Sequence, residues 1–110
     1  MIPKKFKLGA HTYKVLFPYV FSDSPEFTGQ HDTGLREIKV RGVSAGGGKQ
    51  AETNVFQVFL HEVIHAIDHT YCMGMIGSDT NGESLIDGIS EGLSQFLLDN
   101  NFWKVENEDF

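Results

Sequence analysis

The chain has 110 residues, 40% of them hydrophobic, a formal net charge of −6 and a single cysteine, Cys72. That length suits one domain over residues 1–110 with a modest core, at a size where a bound metal or a partner chain often adds stability. The negative balance argues against a nucleic-acid binder with a broad basic surface. A lone cysteine excludes an intrachain disulfide and a cysteine-built zinc cage, and no apolar run nears the roughly 20 residues that span a bilayer.

The first residues, MIPKKFKLGAHTYKV, carry charge but no apolar core of the kind a secretory leader needs. With one cysteine, the natural compartment is a reducing one. The expectation is a cytoplasmic protein with neither membrane nor nucleic-acid partners. The basic start (Lys4, Lys5, Lys7) and the acidic end (Glu106, Glu108, Asp109) read as solvated termini.

Taken in chain order, FKLGAHTYKVLF from Phe6 to Phe17 alternates loosely, is rich in aromatic and β-branched residues, and should break into a hairpin at Gly9-Ala10. PYVFSDSPEFTGQHD, between Pro18 and Asp32, reads as irregular. Leu35 to Val43 is the cleanest strand, with Ile38 and Val40 on one face and Glu37, Lys39 and Arg41 on the other. SAGGGKQ, Ser44 to Gln50, is a flexible connector that cannot easily order unless something holds it. It lacks the spacing of a phosphate loop. From about Ala51 to Met73, Val55, Phe59, Val63, Ala66 and Ile67 recur at helical spacing, and Gly74 and Gly77 stop the run. A loop GSDTNGE leads to a second helix over roughly 83–100, with Leu85, Ile86, Ile89, Leu93, Phe96 and Leu97 as its apolar face.

The first helix carries HEVIHAIDH, His61 to His69. His61 and His65 are four apart, about 400° of rotation, so both imidazoles stand on one face and can grip one zinc. Glu62 sits about 100° round, badly placed as a ligand but able to reach a water beside the metal as its base. Buried histidines are costly unless hydrogen-bonded or metal-bound, and Val63, Ile64, Ala66 and Ile67 surround this pair. A catalytic zinc needs a third protein ligand. His69 is a poor choice, because about 12 Å of helical rise separates it from His61. The glycine and third histidine that would bend the chain back are replaced by Asp68 and Tyr71. The third ligand should therefore be an acid of the second helix, where Glu83, Asp87 and Glu91 form one stripe. Asp87 is the first choice, with Glu91 supporting a ligand histidine from outside. Glu91 as ligand is the second choice and Glu83 the third.

HEVIHAID followed by SLIDGISEGLSQFLLDN resembles the small gluzincin-type HExxH zinc metallopeptidases of bacteriophages and prophages, and IPKKFKLGAHTYKVLF and LREIKVRG are similar to that family's opening strands. The likeness is specific at the motif and the GLSQFLLDN tail and weak between residues 18 and 50. It implies an α+β fold with a minimal zincin-like core: a small twisted sheet, the HExxH helix and a second helix bearing the acid. It implies a location in the bacterial host. That family usually has glutamate where this chain has Asp87, one methylene shorter, which keeps Glu91 open as ligand.

The expected activity is peptide-bond hydrolysis with one Zn2+ and Glu62 as general base, on a peptide or protein substrate. An extended substrate would pair with a sheet edge, for which Leu35–Arg41 is the expected strand. His69, Tyr71, Tyr13, His11 and His31 are the candidates to stabilise the oxyanion. Asp68 either orients a polar neighbour or is simply exposed. Cys72 reads as a small core residue, and Phe102 and Trp103 as packing the tail onto the core. The competing readings are a catalytically inactive, zinc-stabilised binding module and a regulatory protein acting on one host partner.

Overall fold

The computed structural model describes residues 2–44 and 46–104. Ala45 of the glycine-rich connector and the acidic end with Glu106, Glu108 and Asp109 lie outside the described residues. The chain is an α+β fold of six elements: β1 (Lys5–Leu8), β2 (His11–Tyr19), β3 (Gly29–Asp32), β4 (Glu37–Arg41), α1 (Glu52–Tyr71) and α2 (Gly82–Asp99). The four strands form one sheet in the order β1-β2-β4-β3. Helix α1 packs on the sheet, and α2 packs on α1. Among the described residues, no helix is long and apolar enough to cross a membrane.

The β1–β2 hairpin turns at Gly9-Ala10 as expected, with Leu8 paired to His11. Gly9 has φ +62° in the first central position, where a tight two-residue turn favours glycine. Tyr13 and Val15 then point into the core from β2. β4 runs parallel to β2, and the pairing slips between Leu16 and Tyr19, beside Pro18, which has no N–H to donate. Ile38 and Val40 are fully buried, as the alternation predicts. Two expectations fail. Leu35 and Arg36 belong to the turn before β4, with Leu35 N–H donating to Asp32 Oδ1 and Arg36 at φ 54°. And β4 is not an edge, because β3 lies outside it in antiparallel register, His31 opposite Ile38. GQHD has no apolar alternation to announce a strand. It is a strand because the turn at residues 33–36 folds it back onto β4.

The glycine-rich connector is closed on itself by backbone bonds from Ser44 N to Gly48 O, Gly47 N to Ser44 O and Gln50 N to Gly42 O. Helix α1 buries Val55, Phe56, Phe59, Leu60 and Ala66 against the sheet. Phe59 meets Phe6 edge-on, Phe6 stacks on Tyr13, and Trp103 stacks on Phe56, so the tail packs onto the core through Trp103; Phe102, expected to pack with it, is 65% exposed and meets Phe96 on the surface. Full burial of an apolar side chain such as Phe56 or Phe59 contributes about 1.5–3 kcal/mol. The helix ends where Met73 and Gly74 take positive φ and both Cys72 N and Gly74 N donate to Asp68 O. Cys72 is half-buried at this cap.

The apolar face expected for α2 is turned away from the body. Only Ile86 of that set is fully buried; Leu97 is partly buried, while Leu85, Ile89, Leu93 and Phe96 are 38–53% exposed. The buried stripe is Gly82, Ile86, Ser90 and Ser94. Both serine hydroxyls donate to the carbonyls three residues back, Asp87 O and Glu91 O, so their burial leaves no unmet donor. Around α2, the stripe of Glu83 and Asp87 lies roughly 160° from that of Leu85, Ile89 and Phe96, with Ile86 and Ser90 between. Contact through the small residues directs the acids at α1 and leaves the larger apolar residues outside.

Candidate metal centre

His61 and His65 stand one turn apart on the face of α1 that meets α2, and their Nε2 atoms lie 3.2 Å from each other. Glu83, in the first turn of α2, brings Oε1 to 2.7 Å from His61 Nε2 and Oε2 to 3.2 Å from His65 Nε2. Asp87 meets the other side of the first ring, with Oδ1 2.8 Å from His61 Nδ1. An ionised carboxylate only accepts, so carboxylates flank both nitrogens of this ring; with a proton on Nδ1 donated to Asp87, Nε2 is the nitrogen that could serve a cation shared with His65 and Glu83. Of the three acids in the expected stripe, Glu83 is the one brought to the shared face of the imidazoles. Asp87, rather than Glu91, is the acid that meets the outer nitrogen of the His61 ring. The Glu91 carboxylate forms no ion pair with either ring among the described residues.

The donor set suits zinc. Bonds of about 2.0–2.1 Å at tetrahedral angles hold ligand atoms roughly 3.3 Å apart. The separations of 2.7–3.2 Å are close to that, and one ligand atom from each of His61, His65 and Glu83 falls within 4.8 Å of the others. Two imidazole nitrogens converging beside a carboxylate form a cluster that could hold a divalent cation. Three protein ligands leave a fourth position for water.

Glu62 lies on the adjoining face, 8% exposed. Burial pushes its carboxyl up to about 7; the His61 ring opposes the rise and Glu83 and Asp87 add to it. The strand β3 passes close above it. A Cβ on Gly29 would fall 2.9 Å from Glu62 Oε2 and 2.6 Å from Val58 Cγ1, so any larger residue would force Val58 and Glu62 to shift. A cavity of about 490 Å3 opens here, between the Glu26–Gly29 lead-in to β3 and the faces of α1 and α2, with His61, Glu62, Glu83 and Asp87 in its wall.

The candidate oxyanion donors separate. The fully buried Tyr13 accepts from Arg36 and pairs with His31, and Tyr71 OH accepts from Gly9 N–H. His11 is exposed at the β1–β2 turn. His31, on β3, stands edge-on to His69, ring centroids 6.1 Å apart. Its pKa is lowered by burial, then by the charges of His69 and His65. Asp68 is buried rather than exposed, and its carboxylate accepts from Ile76 N–H and Gly77 N–H. Gly29 gave no sign of its role in the sequence, because the strand that carries it has no periodic signature. Comparison with known protein families, curated proteins and solved structures finds no match to this chain.

Proposed function

We propose that the chain is a one-zinc metallopeptidase built on a minimal zincin-like core. The observation that carries this reading is the convergence of His61 Nε2, His65 Nε2 and the Glu83 carboxylate beside a buried Glu62, at the wall of an open cavity. His61, His65 and Glu83 would hold the zinc, and Asp87 would hold the His61 ring in its ligand tautomer. Zinc, when bound, supplies a Lewis acid for the scissile carbonyl and acidifies a water. Glu62, buried at the wall of the cavity, would accept the proton of an attacking water on its carboxylate and return it to the leaving amine.

Strand β3, not β4, is the edge of the sheet on this side. An extended peptide adding to it would run past Gly29 and over Glu62, with its backbone paired to the strand. His31 and His69 are the remaining donors for the carbonyl oxygen. The substrate is a peptide or protein, and the resemblance at HEVIHAID points to a bacterial cytoplasm as its setting.

One observation favours a second reading, a zinc-stabilised module that acts through contact with a host partner: the apolar arc of Leu85, Ile89 and Phe96 left uncovered on α2. The two readings part on a cleavage assay. Zinc-loaded chain incubated with a mixed peptide library, and with folded protein substrates, should generate new termini that mass spectrometry detects. Glu62→Gln should bind zinc and generate none. Equal cleavage by Glu62→Gln would refute the peptidase reading, and no cleavage by the wild type would leave the binding module.

A further inference from the structure

Glu83 and Asp87 are largely exposed side chains, 64% and 65% accessible, so packing around them does not hold them at the imidazoles. Their position comes from the backbone of α2, which the stripe of Gly82, Ile86, Ser90 and Ser94 sets against α1 along its length. At its start that backbone is seated on a single peptide. A Cβ on Gly82 would come within 2.1 Å of Ile76 O and 2.8 Å of both Gly77 C and Gly77 O, so the first turn of α2 is seated directly on the Ile76–Gly77 segment. The same segment is held from below by α1. Asp68, 3% exposed, accepts from Ile76 N–H at 3.0 Å through Oδ1 and from Gly77 N–H at 2.8 Å through Oδ2. Its main-chain carbonyl takes Cys72 N–H and Gly74 N–H, which fixes where the chain leaves the helix. Gly77 is pinched between the two helices: a Cβ there would lie 3.2 Å from Asp68 Oδ2 and 3.8 Å from both His65 Nδ1 and Ile86 Cδ1.

We propose that Asp68 is a positioning residue for the metal centre: its buried carboxylate clamps the Ile76–Gly77 peptide, Gly82 seats on that peptide without a side chain, and Glu83, the next residue, is thereby set opposite His61 and His65. Asp68 lies three residues after His65, so one helix both presents the imidazole pair and dictates where the third donor arrives. A carboxylate suits this clamp because two N–H groups converge on it, and each acceptor oxygen meets one of them. The seating of α2 stands on the geometry alone; the consequence for a metal rests on the proposed function.

The test is a double-mutant cycle read by zinc affinity, using Zn2+ alone and a chromophoric competitor. Asp68→Asn presents an amide donor to one of the two N–H groups. It should weaken zinc binding about tenfold, the scale on which supporting groups act. In a Glu83→Gln background the same change should cost less than about twofold, because the residue it positions is already gone. Equal weakening in both backgrounds, or none in the wild-type background, would overturn the proposal. A second arm needs no metal. In the chelator-treated protein, Asp68→Asn should speed amide exchange at Ile76 and Gly77 and move the backbone resonances of Gly82 and Glu83. Resonances of Gly82 and Glu83 left in place would overturn it as well. Should Asp68→Asn fail to fold by circular dichroism, Asp68→Ser, which retains one acceptor, takes its place in both arms. A wild-type chain that ignores zinc would sink the proposed function, while the exchange arm still decides the role of Asp68.

Discussion

Glutamine in place of Glu62 should change how the metal-free protein responds to pH. The buried carboxyl has its pKa raised from 4.5 to about 7, mainly by burial, so the native state favours the protonated form. A raised folded-state value means that the contribution is complete below the unfolded pKa and is lost as pH climbs to the folded one. The window is therefore pH 4.5 to about 7. At about 1.4 kcal/mol per unit, the wild type should lose on the order of 3 kcal/mol across it relative to Glu62→Gln. The side chain is 8% exposed, so solvent screening removes little of this. Glutamine has nearly the same shape and no proton to lose, and every other titrating group is common to both proteins. Urea unfolding with a chelator present, at several pH values from about 4 to 8, measures the difference. With a slope of about 1–2 kcal/mol per molar, the two midpoints should diverge by roughly 2 M over the series. A difference that stays constant with pH would refute the reasoning, since it would mean that Glu62 ionises in the native chain as freely as in the unfolded one.

Asp87→Ala should weaken zinc binding about 10- to 100-fold by releasing the Nδ1–H of His61, and Asp87→Asn, whose amide oxygen still accepts, should weaken it less; competition with a chromophoric chelator reads both. Gly29→Ala should destabilise the chain by about 1–3 kcal/mol in thermal unfolding, because its Cβ meets Val58 and Glu62 at once. Adding Val58→Ala should recover stability but leave kcat low, with zinc retained; wild-type kcat in Gly29→Ala would show that the strand can yield without moving the base.

The sequence carries some of this organisation plainly and hides the rest for physical reasons. The histidine pair and its neighbouring acid follow from helical spacing, and Ile38 and Val40 from strand alternation. Periodicity also finds the acid stripe on α2, but it cannot say which turn of that helix meets the histidines. That register depends on the loop from residue 72 to 81, on the clamp at Asp68 and on the missing side chain of Gly82, none of which is periodic. The same limit explains β3. Four polar residues, GQHD, become an edge strand only through a turn that brings them beside β4, so the expected edge at Leu35–Arg41 falls inside the sheet. The apolar count on α2 likewise predicts a buried face. Helix–helix contact through Gly82, Ile86, Ser90 and Ser94 instead rotates those residues outward.

Native mass spectrometry of the zinc-titrated chain is the sharpest trial of the two-histidine grip. One zinc per chain is expected in the wild type and in Glu62→Gln, with weakened loading in Glu83→Ala and none in His61→Ala or His65→Ala. A full equivalent of zinc held by either histidine variant, at the wild-type affinity, would contradict it.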